Sequence, residues 1–402
     1  MLRGLLMTTD ILPIPAQPLI HPLVDHLLHI VDLITAVKKT RTRQHLVMLQ
    51  KRCGSAIPAE RVVAIVTRCL LAHIDGSPTF QSGNLYNEAV HSQDMLSAYD
   101  LLVRATPFIR YGYLYANNIL LNTIKNAPDL HIVDIGIGSG AQWGLFFEAL
   151  QKRSFRCPTI RLTGIDVPLP GSDTTARLRQ VGISLSNQAN SMGISFSYEP
   201  IATMAEHFDW SCLSRDTESI LMINAAFSLH HVPVETQHNT IINPRDELIK
   251  KLFALQPTVL CLIEPVSNHN DLPLAQRIRE VLNHYITVFA ALETCLGPHH
   301  REREIIEQHF FGREIWNIIG SEGTDRVERH ERPAAWHQRF RRAQFMPHYN
   351  PSLITQLHEE LELTSPFTIG CTEEGMTVLQ WNQTPVVAAS AWIGHSGITE
   401  TS

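Results

Sequence analysis

Apolar residues along this chain recur at two different periods, and the change falls near Pro128. Between Pro22 and Asn126 the period is helical. In "LVDHLLHIVDLITAV", Leu23, Leu27, Ile30, Val31 and Ile34 share one face. "PAERVVAIVTRCLLAHIDG" opens on proline, repeats Val62, Ile65, Val66, Cys69 and Leu70 at helical spacing, and stops at Gly76. "SAYDLLVRATPFIRYGYLYANNILLNTI" continues the pattern with a break near Pro107. A helical cap over residues 23–127 is expected, behind a flexible segment at 1–22.

Beyond Pro128 short apolar runs alternate with helical ones. "HIVDIG", "IRLTGID", "ISFSYEP", "SILMINAAF" and "TVLCLIEP" read as strands, with helices such as "TTARLRQVGISLSNQANSMG" and "PRDELIKKLFALQ" between them. Continuous apolar strands joined by crossover helices imply a parallel sheet covered on both faces. A helical interruption follows, at about 270–345. "LPLAQRIREVLNHYITVFAALETCL" carries one stripe from Leu274 to Leu296, and "REIIEQHFFGREIWNII" predicts a second helix. The chain closes in "FTIGCTEEG", "MTVLQWN" and "VVAASAW", whose first turn suits an antiparallel hairpin. The expected fold class is α/β: a Rossmann-type core over 128–395, carrying that helical insertion after its fifth strand and the cap in front.

The first strand and helix are joined by "DIGIGSGAQW". The first βα turn of an open parallel sheet lies at its carboxyl edge, where ligands bind. Glycines there permit positive φ and bare backbone against a ligand, and the next helix presents free N–H groups. Gly136, Gly138 and Gly140 therefore fit a nucleotide-like cofactor, or else a tight turn with no ligand. Gly136-x-Gly138-x-x-Ala141 satisfies the dinucleotide fingerprint. With Asp134 in front, the stretch is also similar to the first motif of class I S-adenosylmethionine methyltransferases. In that family the acid and the glycine backbone meet the methionine end of the cofactor. Asp166, ending the second strand, stands where both families place a carboxylate on ribose hydroxyls, which it suits by accepting two hydrogen bonds. The terminal hairpin favours S-adenosylmethionine.

Composition narrows the classes further. Net charge is −6 in 402 residues and 44% are hydrophobic, so a full core is available and no general attraction to nucleic acid or anionic lipid is expected. No helix-turn-helix, zinc finger or basic region points to DNA. No apolar run reaches membrane-spanning length, and the opening "MLRGLLMTTDILPIPAQP" is too short and proline-broken for a signal peptide. Seven scattered cysteines without a Cys-x-x-Cys pair indicate reduced thiols, a cytoplasmic location and no zinc site. Arginines and glutamates interleave from Arg301 to Arg342, which reads as a solvated, salt-bridged helical face.

Beyond this core, residues from about 25 to 395 resemble the GRAS family. "LHIVDIGIGSGAQW" followed by "RLTGID" is similar to its V-H-I-I-D motif, with Gln142 and Trp143 in place. "SLHHV", "NPRDELI", "VLCLIEPVSNHND" and "HYITVFAALETCL" follow in family order. "FGREIWNIIGSEGTDRVERHERPAAWHQRFRRAQF" matches the long R-E-rich block, and "LQWNQTPVVAASAW" ends on the signature Ser390-Ala391-Trp392. The resemblance implies one GRAS domain: a methyltransferase-like Rossmann core with a helical cap. Plant members are known as transcriptional regulators acting through protein partners. This chain keeps the full glycine set where plant members usually carry bulkier residues. Bacterial members with such glycines look like small-molecule methyltransferases.

The expected cofactor is S-adenosylmethionine, held by Asp134, Gly136, Gly138, Gly140, Gln142 and Asp166, with a small-molecule acceptor. Polar groups at the strand ends supply the chemistry. His230 and His231 follow the fourth strand, and Glu264, Asn268 and His269 the fifth. A histidine is tuned for general base work near neutrality. Each of these side chains also suits a structural hydrogen bond holding a loop. Adjacent His230 and His231 diverge, and no Glu or Cys lies at ligand spacing, so no metal is expected. Arg313 and Glu314 either bind an acidic acceptor at the lid or pair with Glu322, Arg326 and Glu328. Tyr285 and Trp316 fall on apolar stripes and read as core. A regulator that acts through a protein partner is the alternative, and a homodimer also stands.

Overall fold

Each of the eight runs read as strands beyond residue 128 becomes one in the computed structural model, which describes residues 21–34, 39–75, 89–124, 127–153, 158–168, 173–213, 219–233, 235–237 and 240–394. The segment expected to be flexible, all but its last two residues, and the expected stop at Gly76 lie outside the described residues. Strands β1 (Asp129–Ile135), β2 (Thr159–Asp166), β3 (Phe196–Ala202) and β4 (Ile220–Ala226) are followed by a short separate hairpin, β5 (Glu235–Gln237) and β6 (Thr240–Ile242). Next come β7 (Val259–Pro265), β8 (Met346–His348), β9 (Phe367–Cys371), β10 (Thr377–Trp381) and β11 (Thr384–Ile393). The main sheet runs β3-β2-β1-β4-β7-β11-β10-β9, with β8 on β11. Its first five strands are parallel, and β11, β10 and β9 are antiparallel. This is the Rossmann-type, methyltransferase-like sheet with a terminal antiparallel hairpin. Strand order reverses at β1 and β4, so their carboxyl ends form the switch point at which such sheets bind ligands.

Alternation along the strands feeds two cores. Leu130, Ile132, Met222, Cys261 and Ile263 face one, and Val133, Ile135, Ile223, Leu260 and Leu262 the other. The first core is covered by α1 (Pro22–Ile34), α2 (Lys39–Arg52), α3 (Pro58–Asp75), α4 (Ala89–Ala105) and α5 (Pro107–Ile124), and by α6 (Ala141–Gln151) and α7 (Ala176–Ser191). Helix α8 (Pro244–Ala254) covers the second. Pro107 both ends α4 and opens α5, because it lacks the N–H that an interior helical position needs.

After β7 the chain forms α9 (Leu274–Leu296), α10 (Arg301–Ile305), a π-helical turn at Ile306–Phe311, α11 (Gly312–Gly320), α12 (Pro333–Arg342) and α13 (Ser352–Glu360). The single second helix expected from "REIIEQHFFGREIWNII" is thus divided by a widened turn. The expectation of a solvated charged face is corrected here as well. Arg303, Glu307, Arg326, Glu328, Arg329 and Glu331 are all buried. Ion pairs and bonds to backbone carbonyls compensate them. Arg61 of α3 holds Glu307 at 3.0 Å and Glu293 of α9 at 2.7 Å, and Arg303 holds Glu307 at 2.5 Å. Arg339 holds Glu331 at 2.6 Å. The signature Trp392 is equally structural: its indole N–H donates to Ser390 at 2.9 Å and its ring stacks on Phe340.

Arg61 therefore clamps the cap onto the insertion. Removing one partner of a buried ion pair strands the other charge. Arg61→Ala is expected to cost about 3 kcal/mol in chemical denaturation. Glu293→Gln, at a rim where the glutamate side chain is 26% exposed, should cost less than about 1 kcal/mol.

Candidate functional site

The glycine loop leaves β1 with three positive φ values, +84° at Gly136, +57° at Gly138 and +77° at Gly140. What each glycine spares is different. A Cβ at Gly136 would meet Ser228 Cβ at 2.7 Å, and one at Gly140 would meet Val181 at 2.9 Å. Those two let the loop pack. At Gly138 a Cβ would meet nothing nearer than the Gly136 carbonyl at 4.0 Å, so its bareness serves open space. Its N–H donates to Asp166 Oδ2 at 2.9 Å, and its carbonyl accepts from Arg177 at 2.7 Å. Arg177 also pairs with Asp166 at 2.9 Å, while Asp166 Oδ1 accepts the Val167 N–H at 2.8 Å. A carboxylate offers roughly four acceptor positions, so Asp166 keeps one on Oδ1.

Asp134 lies behind this loop. It is 3% exposed, and its carboxylate accepts from the Trp143 indole N–H at 2.7 Å and from Asn224 at 2.8 Å. Burial pushes its carboxyl up to about 7 against those two donors. Gln142 sits in the same buried layer, accepting from Asn224 at 3.1 Å and donating to Asn117 at 3.3 Å. Both residues brace the loop from beneath.

Above the loop opens a cavity of about 520 Å³. Its floor is Gly136, Gly138, Ser139 and Asp166, and its apolar roof includes Leu102, Phe108, Val288, Phe310 and Phe311. Phe227, next in the wall, has φ +56°, a costly conformation for a bulky residue. Such strain gathers at binding sites, where the surrounding structure imposes it. Here the Phe227 N–H is tied to the Ile263 carbonyl at 2.8 Å.

One wall is ionic. A short turn after β4 carries His230 and His231 into the lining. Glu264, at the end of β7, accepts the Leu229 N–H at 2.9 Å and sits 2.5 Å from His230 Nδ1. Buried Arg245 steadies the turn by donating to the His230 carbonyl at 2.8 Å. From the far side comes Glu328, 3.3 Å from His230 Nε2, 3.4 Å from His231 Nε2 and 3.5 Å from His330 Nε2. Burial opposes charge on His230, but Glu264 and Glu328 outweigh it and lift its pKa to about 10. The two carboxylates thus favour the charged form of His230. Burial favours protonated Glu328 as well, yet the neighbouring His231 and His230 hold it well below the carboxylate range. Glu314, accepting from the Tyr285 hydroxyl at 2.8 Å, is pushed up by burial and by the Glu328 charge.

The structure thus brings Gly136, Gly138, Asp166, His230, His231, Arg313 and Glu314 to one cavity. Gly140, Asp134, Gln142, Glu264 and His269 stand behind its walls and support them. His269 is fully buried, bonded to Ser267 at 3.0 Å and to His330 at 2.8 Å. Asn268 lies outside the lining. Its neighbour Asn270 makes the structural bond, to Glu331 at 2.5 Å. Arg177, Glu328 and His330 were missed as site residues. For Arg177 the sequence carries no signal. For the other pair it does: residues two apart on an extended segment point the same way, and "ERH" places Glu328 and His330 so.

A doubly wound sheet with a glycine loop and a chamber at its switch point defines a Rossmann-type protein of the methyltransferase-like class. The chain belongs to the GRAS domain family, which matches residues 23–393. It is 33% identical over 339 residues to chitin-inducible gibberellin-responsive protein 2 of Oryza sativa, covering 84% of this chain and 62% of that protein. It is 31% identical to Scarecrow-like transcription factor PAT1 of Arabidopsis thaliana, covering 84% of this chain and 69% of that one. It spans little more than half the length of Scarecrow-like protein 5, 56%. The crystal structure of SCL7 from Oryza sativa superposes with a TM-score of 0.79 at 22% identity, covering 93% of this chain and all of that one. The shared fold is that of a GRAS domain.

The buried Asp134 carboxyl has a thermodynamic consequence. Its folded-state pKa, about 7, lies above the ordinary aspartate value of about 3.9. The stability its proton contributes is complete below about pH 4 and is lost as pH rises through about 7. Denaturation of wild type and Asp134→Asn between pH 5 and 8 should show the wild type losing stability relative to the variant as pH rises. A pH-independent difference would contradict the raised pKa.

Proposed function

We propose that the cavity binds S-adenosylmethionine and that the chain methylates a small, largely apolar acceptor. The observation that supports this reading is the bare backbone at Gly138 facing the 520 Å³ chamber beside Asp166. S-adenosylmethionine, when bound, supplies an activated methyl group. The residues of this chain would do the rest. Gly138 admits the cofactor against the main chain, and Asp166 Oδ1 accepts a hydroxyl. Leu102, Phe108 and Phe310 exclude water and hold an apolar acceptor, since alignment and enclosure carry much of such a transfer. His230, engaged by Glu264 and Glu328 on its two ring nitrogens, fixes the turn, and His231, at the chamber face, takes a released proton.

A second reading has a different support, and the relatives favour it more directly. Proteins sharing most of this chain carry names such as Scarecrow-like transcription factor. On that reading the chain is a regulator that acts through protein partners without catalysis. Six free cysteines stand among the described residues. No helix among those residues is long and apolar enough to cross a membrane.

Isothermal titration separates the two. Saturable one-to-one binding of S-adenosylmethionine and S-adenosylhomocysteine is expected, weakened at least about 10-fold, or ~1.4 kcal/mol, in Gly138→Trp of unchanged circular dichroism. Folded wild type that binds neither compound, yet retains a stable protein partner in a pull-down, would establish the regulator.

A further inference from the structure

The ionic wall has a second capacity, centred on Glu328 and apart from the glycine loop. Three residues converge there: His230, His330 and Glu328 each bring one ligand atom within 4.8 Å of the others, and all three are buried. Glu328 Oε2 stands 3.3 Å from His230 Nε2 and 3.5 Å from His330 Nε2, and Glu328 Oε1 is 3.4 Å from His231 Nε2. Zinc bonds to imidazole nitrogen and carboxylate oxygen of about 2.0–2.2 Å give tetrahedral edges of roughly 3.3–3.6 Å, so these spacings are those of ligands around one small ion. His330 is 1% exposed, and its Nε2 has no hydrogen-bond partner. A buried polar nitrogen left in that state calls for an explanation.

The outer contacts agree. A metal-bound histidine typically gives its other ring nitrogen to a carboxylate or another acceptor, which fixes the ring. His230 Nδ1 meets Glu264 at 2.5 Å. His330 Nδ1 meets His269 Nδ1 at 2.8 Å, and His269 Nε2 meets Ser267 Oγ at 3.0 Å. With His330 Nδ1–H donating to His269, and His269 Nε2–H donating to Ser267, His330 turns an Nε2 lone pair toward Glu328, and His230 does the same once its Nε2 proton is displaced. We propose that His230, Glu328 and His330, joined by His231, form a binding site for a divalent transition ion of the zinc class, set in the wall of the chamber. The ion takes the place of the proton on His230 Nε2. Imidazole with carboxylate suits zinc, whereas magnesium and calcium prefer oxygen shells. The site shares His230 and His231 with the acceptor side of the chamber but none of the proposed cofactor contacts, Gly138 and Asp166, so binding of the ion and binding of S-adenosylmethionine are read separately.

The test uses the untagged full chain, stripped with chelator and titrated with Zn²⁺, and with Co²⁺ as a spectroscopic probe. One equivalent of Zn²⁺ is expected to bind and raise the Tm, and Co²⁺ should develop the visible absorption of a low-coordinate nitrogen and oxygen site. Glu328→Gln and His330→Asn should lose at least about 100-fold in affinity, and His269→Phe, which keeps a ring beside Tyr285, about 10–100-fold. Should the buried variants fail to fold, His231→Asn, at the cavity surface, should still change the Co²⁺ spectrum. Folded wild type without stoichiometric Zn²⁺ binding, or binding and spectra unchanged in folded variants, would overturn the site.

Discussion

A carboxylate with almost no contact with water must be compensated, and Glu328 sets the terms for everything around it. It is 1% exposed, and an uncompensated charge at that depth would cost several kcal/mol. Compensation comes from His230 and His231 after β4, the first of them held in turn by Glu264 at the end of β7. The sheet edge and the insertion are therefore fastened by charge as well as by apolar contact. The same fastening fixes where the chamber's wall stands, because the segment bearing Glu328 cannot lift without exposing His230 and Glu264 to a rearranged field. Arg61, Arg303 and Glu307 repeat the arrangement on the cap side.

Around the loop after β1, residues of one motif divide the labour. Gly136 and Gly140 permit close packing, Gly138 leaves space, and Asp134 with Gln142 ties the loop to Asn224 and Asn117 below. A motif shared with cofactor-binding proteins thus contains more scaffold than contact surface. Asp166 stands between the roles, with most of its acceptor capacity committed to Gly138, Val167 and Arg177.

The sheet was legible in the sequence because parallel strands buried on both faces are continuous apolar runs, and the flanking helices kept a clean 3.6-residue period. The glycine loop announced the switch point for the same local reasons. The ionic wall was not legible in that way. His230 and Glu328 are 98 positions apart, and only the crossover of the insertion brings them together. Interleaved arginines and glutamates carry no mark that separates a solvated face from a desolvated lattice, since the outcome depends on partners from other segments. Asp134 and Gln142 were found by pattern, but the direction of their side chains is decided by Trp143 and Asn224, which no spacing rule connects to them.

The widened turn at Ile306–Phe311 shows how two angular demands meet on one helical rod. At its start Glu307 must face Arg61 and Arg303, and downstream Arg313 and Glu314 must face the chamber. Successive residues of a regular helix step about 100° around the axis, so the extra residue of a π turn rotates all that follows by about that amount. Phe310 and Phe311 occupy this phase shift and form the ceiling. The rod thereby acts as a geared joint, converting the azimuth of the clamp into the azimuth of the lining, and a regular helix of the same length would have to surrender one of the two.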